Sequence, residues 1–391
     1  MIFIYYLMKN KFNFKIVGSG PTGLLLSIAL SKFDCNIFLT DLLTKDRLID
    51  KDKTYAITHS TRKILSKFRL WEKLEPYLFG FDTLSISDSI TSAITTLSIF
   101  DLDDDISSAG NIGWVVKHSD LMNIFFQEID SCENIFFSTP QNLLRKKILF
   151  DYHFLSTGAN SIDKKFFDFV DIRKSYNQSC LTFKVSVRGN CEKRAYEIFR
   201  KEGPLALLPL EKKLYQVIWT SSTLKAIERL NSDKNFLIDN LSTILPDEFK
   251  VDQVVGEFNI FPVSLSLNLP ALNLKKIVFV GDAFHTFHPV GGQGLNSCWR
   301  DVNTIFDLFN ENIAISKRQL TLFKFNYFTS RILDIIFTIL ITDSLISIFA
   351  NKNIFLFPIR KFSFLLLNNF PFIRKLVLNQ MTKSLIYSRI K

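Results

Sequence analysis

The chain has 391 residues, 47% of them hydrophobic, and a formal net charge of +10. That is more than a single core usually holds, so two interleaved domains are expected. Five scattered cysteines with no CxxC pair argue against a zinc ribbon or a secreted disulfide framework and favour a reducing cytoplasm.

Met1–Leu7 is apolar but too short for a signal segment with its cleavage site, and it lacks a leading basic residue, so a start at Met8 is left open. Lys15 to Val17 then reads as a short apolar strand. Gly18-Ser-Gly-Pro-Thr-Gly23 fits GxGxxG, and Leu24 to Phe33 is a helix-forming run. In that context Gly18 makes the tight turn, Gly20 lets a pyrophosphate approach the backbone, and Gly23 lets the helix pack closely on the strand. The amino end of the helix holds the phosphates. A second strand, Asn36 to Thr40, ends at Asp41, about 20 positions on, where an acid binds an adenosine ribose hydroxyl. From this end alone the dinucleotide is either NAD or FAD.

Alternating residues around Thr83 to Ile90 suggest a sheet strand. Much further along, Lys276 to Val280 is an apolar strand running into Gly281-Asp282, and Gly291-Gly-Gln-Gly294 opens a helix reaching about Asn310. Asp282, at a strand end, is placed to accept hydrogen bonds from ribityl hydroxyls, and the helix starting near Gly294 aims its positive end at the pyrimidine side of a flavin. His285 and His288 stand three apart, but no carboxylate or Cys completes a site at ligand spacing, so no metal is expected. Ile332 to Ala350 is strongly apolar but contains Asp334 and Asp343. It is therefore expected to pack as helices against the globule and not to span a membrane. From Lys352 to the end there are eight Lys or Arg and no acid, mixed with Phe and Leu clusters. Two functions fit this tail: a helical cap, or contact with an anionic membrane surface. No nucleic-acid motif accompanies the charge, so nucleic acid is not expected as a partner.

The segment Phe279-Val-Gly-Asp-Ala-Phe-His-Thr-Phe-His-Pro-Val-Gly-Gly-Gln-Gly-Leu-Asn296 resembles the GDAAHxxHPxxGQGLNxGxxD signature of class A flavoprotein monooxygenases, which share the para-hydroxybenzoate hydroxylase fold. Asp52-Lys-Thr-Tyr-Ala-Ile57, Trp114 to Leu121, Ser156-Thr-Gly-Ala-Asn-Ser161, Tyr176-Asn-Gln178 and Gly203-Pro-Leu-Ala-Leu-Leu-Pro-Leu210 resemble further landmarks of the ubiquinone-biosynthesis hydroxylases within that class. The resemblance implies an α/β fold: a Rossmann-like FAD-binding domain, an inserted mainly antiparallel substrate sheet and a C-terminal helical segment. The FAD domain is expected over 8–75, 100–172 and 270–330, the substrate sheet over 76–99 and 173–269, and the basic helical segment over 331–391.

The resemblance also implies FAD as resident cofactor, held by Gly18, Gly20, Gly23, Asp41, Lys53, Asp282, Gly292, Gln293, Gly294, Leu295 and Asn296. His288, Pro289 and Gly292 position the flavin ring. NAD(P)H is implied as a transient co-substrate, with O₂ and a polyprenylated phenol or quinol precursor of ubiquinone as the other reactants. A quinone-biosynthesis complex is an implied partner, and the inner face of the cytoplasmic membrane an implied location. The chain departs from the pattern at Lys53 (usually Arg), Thr157 (usually Asp), Phe284 (usually Ala) and Cys298 (usually Gly). Two other functions remain open: a hydroxylase of a soluble aromatic acid, which needs a carboxylate-binding Arg in its pocket, and a non-catalytic flavin-binding subunit.

Overall fold

A computed structural model describes residues 11–139, 148–159, 169–189, 193–246, 249–270, 276–311, 319–351 and 353–384. Met1–Met8, Asn160, Ser161 and Cys191 lie outside the described residues. The chain begins with β1 (Phe12–Val17), α1 (Pro21–Leu30), β2 (Cys35–Thr40) and the short α2 (Lys45–Ile49). Pro21 occupies the first turn of α1, where its missing N–H costs nothing. Every residue of α1 from Gly23 to Leu30 is buried, which accounts for a helix apolar all round.

Next come β3 (Thr54–Ile57), α3 (His59–Lys67), α4 (Trp71–Leu74), β4 (Phe79–Phe81), β5 (Thr83–Asp88), β6 (Ala93–Ser98), α5 (Asp104–Ser107), β7 (Gly113–Lys117), α6 (His118–Asp130), β8 (Ile135–Ser138) and β9 (Tyr152–Leu155). The middle of the chain holds β10 (Phe169–Arg188), β11 (Arg194–Phe199), β12 (Leu205–Glu211), β13 (Leu214–Ser222), α7 (Thr223–Leu230), α8 (Lys234–Ser242) and β14 (Lys250–Pro270). The chain then returns through β15 (Ile277–Phe279), β16 (His285–Thr286), α9 (Gln293–Glu311), α10 (Gln319–Phe349), α11 (Phe357–Asn369) and α12 (Pro371–Lys383).

Three sheets form. A parallel sheet has the order β15-β9-β1-β2-β8, so the strand carrying GxGxxG is central and the strand carrying Gly281-Asp282 is an edge. Its core draws in α1, α6 and α9. The second sheet runs β16-β14-β10-β13-β12-β11-β5-β6 and is antiparallel except where β11 meets β5. The third, β3-β7-β4, is small and antiparallel. This is the fold class expected from the sequence. Within 76–99, β5 and β6 join the large sheet, whereas β4 pairs with β7.

The apolar stretch after residue 331 lies in one unbroken helix, not several. Leu322–Phe349 is long and apolar enough to cross a membrane by length and composition, with a mean hydropathy of 2.1. Asp334 nevertheless sits inside the globule, bound by Arg331 Nη1 at 2.6 Å, Arg300 Nε at 2.9 Å and Ser384 Oγ at 2.6 Å. A buried carboxylate with two guanidinium partners holds the helix to α9, and those partners keep its pKa well below the usual carboxylate range against the opposing effect of burial.

The basic tail requires a correction. Arg374 pairs with Asp101 at 2.8 Å, Lys375 with Asp103 at 3.3 Å, and Lys383 with Asp103 and Asp105 at 2.6 and 2.7 Å. Arg360 is buried and donates to the carbonyls of Ile348 and Asn351. Arg374, Lys375 and Lys383 are not uncompensated, because the fold brings an acidic segment from the first third of the chain beneath α12.

Candidate active site

The first cavity is a polar cleft of about 990 Å³ at the carboxyl end of the parallel sheet. It is lined by Gly18, Gly20, Asp41, Lys53, Asp282, Gly294 and Leu295 of the residues expected from the sequence. Gly18 has φ +101, and a Cβ there would lie 2.6 Å from the Ser156 carbonyl oxygen. A Cβ on Gly20 would meet nothing within 4 Å, so this backbone faces open cleft. Gly23 lies behind the wall: a Cβ there would come 1.9 Å from the Gly18 carbonyl oxygen, which is why α1 can start so close to β1. Asp41 accepts hydrogen bonds from the backbone N–H groups of Ser19 at 2.7 Å and Leu43 at 3.0 Å. It thereby ties the glycine loop to the end of β2 while still facing the cleft.

At the other end, Gly281 takes φ +65 and donates its N–H to the buried Asp301 at 2.9 Å. The same Asp301 binds His285 Nε2 at 2.9 Å and Arg331 Nε at 2.6 Å. The turn is thus anchored from below, and Asp282 is left exposed to the cleft. Cys298 donates its thiol to Asp282 Oδ1 at 3.3 Å; burial and the nearby acids push its pKa well up, so it stays protonated. Lys53 also lines the cleft. Burial, with Lys51 next, lowers its pKa, and Asp282 acts in the opposite direction.

Tyr55, His118 and Thr157 also line the cleft, although none was assigned a cofactor contact from the sequence. The Tyr55 hydroxyl and His118 Nδ1 lie 2.8 Å apart, and His118 Nε2 lies 2.7 Å from the Leu48 carbonyl. Burial lowers the His118 pKa, so the ring is neutral; Nε2 donates to Leu48 and Nδ1 accepts from Tyr55. The third is Thr157, whose buried Oγ1 has no hydrogen-bond partner. No spacing rule flags a Tyr–His pair brought together by β3 and α6.

A glycine loop open to the cleft, the start of a helix, an orphaned hydroxyl at Thr157 and a carboxylate at Asp282 are the donor and acceptor set that an FAD requires along its length. The residues present therefore fit the group.

A second cavity, of about 520 Å³, lies between the large sheet, the loop before α9 and the helices α10 to α12. Pro289, Gly292 and Gln293 line this cavity and not the cleft. Ala56 and Ile57 also line it, whereas Tyr55 lines the cleft, so β3 and the Gly291–Leu295 segment form the partition between the two spaces.

Two expected contact residues sit elsewhere. Asn296 is buried and fully engaged: its Oδ1 accepts from Thr58 N, Thr58 Oγ1 and Thr61 Oγ1, and its Nδ2 donates to the carbonyls of Ala56 and Gly292. It clamps the partition. His288 lines neither cavity. Its Nδ1 accepts from Val290 N–H at 3.3 Å and its Nε2 faces Gln178 Oε1 at 3.2 Å; burial lowers its pKa to about 4, so it is neutral and Nε2 donates. Phe284 fills a space against Tyr327 and Phe328 of α10, which explains a large side chain there.

No family model matches the chain. An uncharacterised protein of Synechocystis is 26% identical over 75% of this chain and 73% of its own length. The ubiquinone biosynthesis monooxygenase COQ6 of Dictyostelium discoideum is 22% identical over 94% of this chain and 90% of its own. Among solved structures, p-nitrophenol 4-monooxygenase of Pseudomonas putida superposes with a TM-score of 0.72 at 14% identity, covering 95% of this chain and 98% of that one. HpxO of Klebsiella pneumoniae, solved with FAD and uric acid, gives 0.70 at 14% identity over 96% and 97%. With a cleft whose residues fit an FAD, this fold over nearly its whole length and sequence similarity to monooxygenase relatives, the chain is similar to the class A FAD-dependent monooxygenases.

Proposed function

We propose that this enzyme hydroxylates the ring of a polyprenylated phenol or quinol precursor of ubiquinone, using O₂ and electrons from NAD(P)H. The observation that carries the proposal is the lining of the second cavity, which is built of Leu, Ile, Val, Phe, Ala and Met with Glu197 as its one charged side chain among the described residues. A soluble aromatic acid needs a cation to offset its carboxylate on leaving water. No Arg or Lys lines this cavity among the described residues. An isoprenoid tail needs only apolar wall, and the volume falls within the range of small-molecule pockets. The relative named for ubiquinone biosynthesis supports the same substrate class.

Bound FAD supplies the activation of O₂. The protein's part is placement and dryness. With FAD bound, Gly18, Gly20 and the start of α1 would hold the pyrophosphate, Asp282 would take the ribityl chain, and the Gly291–Leu295 segment, clamped by Asn296, would offer backbone N–H groups to the flavin ring. Pro289 and Gly292 face the substrate side. Thr157, Lys53 and Asp41 complete the cleft.

The substrate enters from the inner face of a membrane. Helices α11 and α12 line the cavity with Phe364, Leu367, Leu378 and Met381. On their outer surface Phe372 is 62% exposed and Phe362 59%, and Phe355, in the turn before α11, is 84% exposed. Because Arg374, Lys375 and Lys383 are engaged with acids, attachment is apolar in the main, and vesicle binding is expected to persist in high salt.

The decisive experiment gives the purified FAD-loaded protein, with NADPH and O₂, a choice between a 2-polyprenylphenol and 4-hydroxybenzoate, and identifies products by mass spectrometry. Hydroxylated prenylphenol is expected. Hydroxylation of 4-hydroxybenzoate alone overturns the substrate class, and NADPH consumption with neither compound overturns an active hydroxylase.

A further inference from the structure

Among the described residues, Glu197 is the one charged side chain in the wall of a mainly apolar chamber. It sits on β11 between Ala206 of β12 and Ile86 of β5, both of which line the same cavity. Gly291, a residue at φ +71 in the segment that also forms the wall of the FAD cleft, lines the same cavity, and its backbone N–H favours the charged form of the carboxylate. The carboxylate therefore belongs to the partition end of the cavity, where a ring must lie to meet the cofactor.

Among the described residues that line the cavity with it, none offers a counter-charge. From α10 come Phe337, Leu340, Ile341, Ser344 and Leu345. From β10 comes Cys180, whose thiol is pushed up to about 12 by burial, with a smaller contribution from Glu197, and so stays neutral. A carboxylate desolvated in this way, with only one backbone donor, has its pKa raised to about 7 by burial. An isolated acid without a cation partner is costly to keep in an apolar wall, and a packing role would be served as well by an amide.

We propose that Glu197 is the catalytic base of this enzyme, binding the phenolic hydroxyl of the substrate ring and taking its proton during hydroxylation. The phenolic O–H bond breaks, an O–H bond forms on Glu197, and the electron pair remains on the phenol oxygen, from which it enriches the ring carbons ortho and para to it. The proton returns to the product oxygen or leaves to water when the product departs. The proposal rests on the phenolic substrate class given above and adds the residue that recognises it.

The test uses the FAD-loaded full chain with 2-geranylphenol and its methyl ether, which keeps the tail and lacks the acidic proton. Binding is read from the perturbed flavin absorbance and turnover from hydroxylated product, both across pH. For the unmodified enzyme kcat/KM should fall as pH drops through about 7, where Glu197 becomes protonated. Glu197→Gln should lower kcat/KM roughly a hundred-fold or more, as loss of a general base does, and should remove the inflection. It should weaken binding of the phenol and leave that of the methyl ether unchanged, while Glu197→Asp should restore the inflection. Should Glu197→Gln fail to fold, the unmodified enzyme and Glu197→Asp carry the same comparison of phenol with ether.

An unchanged pH profile in Glu197→Gln, or equal loss of phenol and ether binding, overturns the role of Glu197 and leaves the substrate class standing. Failure of the unmodified enzyme to bind 2-geranylphenol at any pH overturns both.

Discussion

The two cavities share a partition yet are built on opposite principles. The cleft wall includes backbone and short polar side chains from contiguous motifs: Gly18 and Gly20 to Thr22, Ser156 to Gly158, Asp282, Gly294 and Leu295. The second cavity is walled mainly by apolar side chains drawn from the large and the small sheet and from three C-terminal helices, with no run of neighbours longer than the loop before α9. A phosphate-bearing ligand must be met by N–H groups and close backbone approach, and those demands fall on glycines at fixed spacing. An apolar ligand asks only for area and shape, which many residues can supply from anywhere in the chain.

The comparison is broken most severely at Gly23. Gly23→Ala places a methyl 1.9 Å from the Gly18 carbonyl oxygen, so α1 must move away from β1. Overpacking of this kind costs on the order of 1–3 kcal/mol or more, and because the contact here is backbone the upper end is expected. Thermal denaturation should show a lower Tm, and the purified protein should have lost its yellow colour.

A smaller, selective effect is expected on the other side of the partition. Ala206→Phe fills cavity volume beside Glu197 without touching the cleft. Affinity for 2-geranylphenol should fall at least tenfold, about 1.4 kcal/mol, with FAD affinity unchanged by equilibrium titration. A parallel loss of FAD would mean that the two spaces are not energetically separate.

The converse variant is Asp282→Ala. Loss of hydrogen bonds to a charged acceptor should weaken FAD by about 1.5–3 kcal/mol, roughly ten- to a hundredfold in Kd. The apolar cavity should keep its affinity for the prenylphenol when FAD is saturating. Lys53→Arg sharpens the same side: a planar fork in place of a point charge should leave FAD affinity equal or a few-fold tighter. A clear loss would show a cleft shaped around the ammonium beside Asp282.

Much of the cleft was legible because its chemistry is local. Gly18, Gly20, Asp41, Lys53, Asp282, Gly294 and Leu295 are found on its wall, as the motif positions implied. Asn296, Gln293 and His288 of the same motif do not line the cleft. Each is adjacent in sequence to a lining residue, but helix geometry turns Asn296 towards β3 and α3, Gln293 donates to the Met381 carbonyl, and His288 is enclosed by Tyr176 and Gln178. The basic tail misled for a related reason: its charge was countable, whereas its partners Asp101, Asp103 and Asp105 lie some 270 positions away.

The sequence by itself determined the parallel nucleotide-binding unit, the flavin-end loop and the class of fold, since glycine spacing and strand-to-helix order are properties of short stretches of chain. Only the tertiary structure decided where the apolar cavity lies, that its described wall carries a lone acid at Glu197, and that α11 and α12 close it with Arg374, Lys375 and Lys383 paired to acids. Glu197 occupies an ordinary-looking position in a short strand. What sets it apart is the absence of any counter-charge in the cavity wall around it among the described residues, and that environment exists only once β5, β12, α10 and the loop before α9 have been brought together.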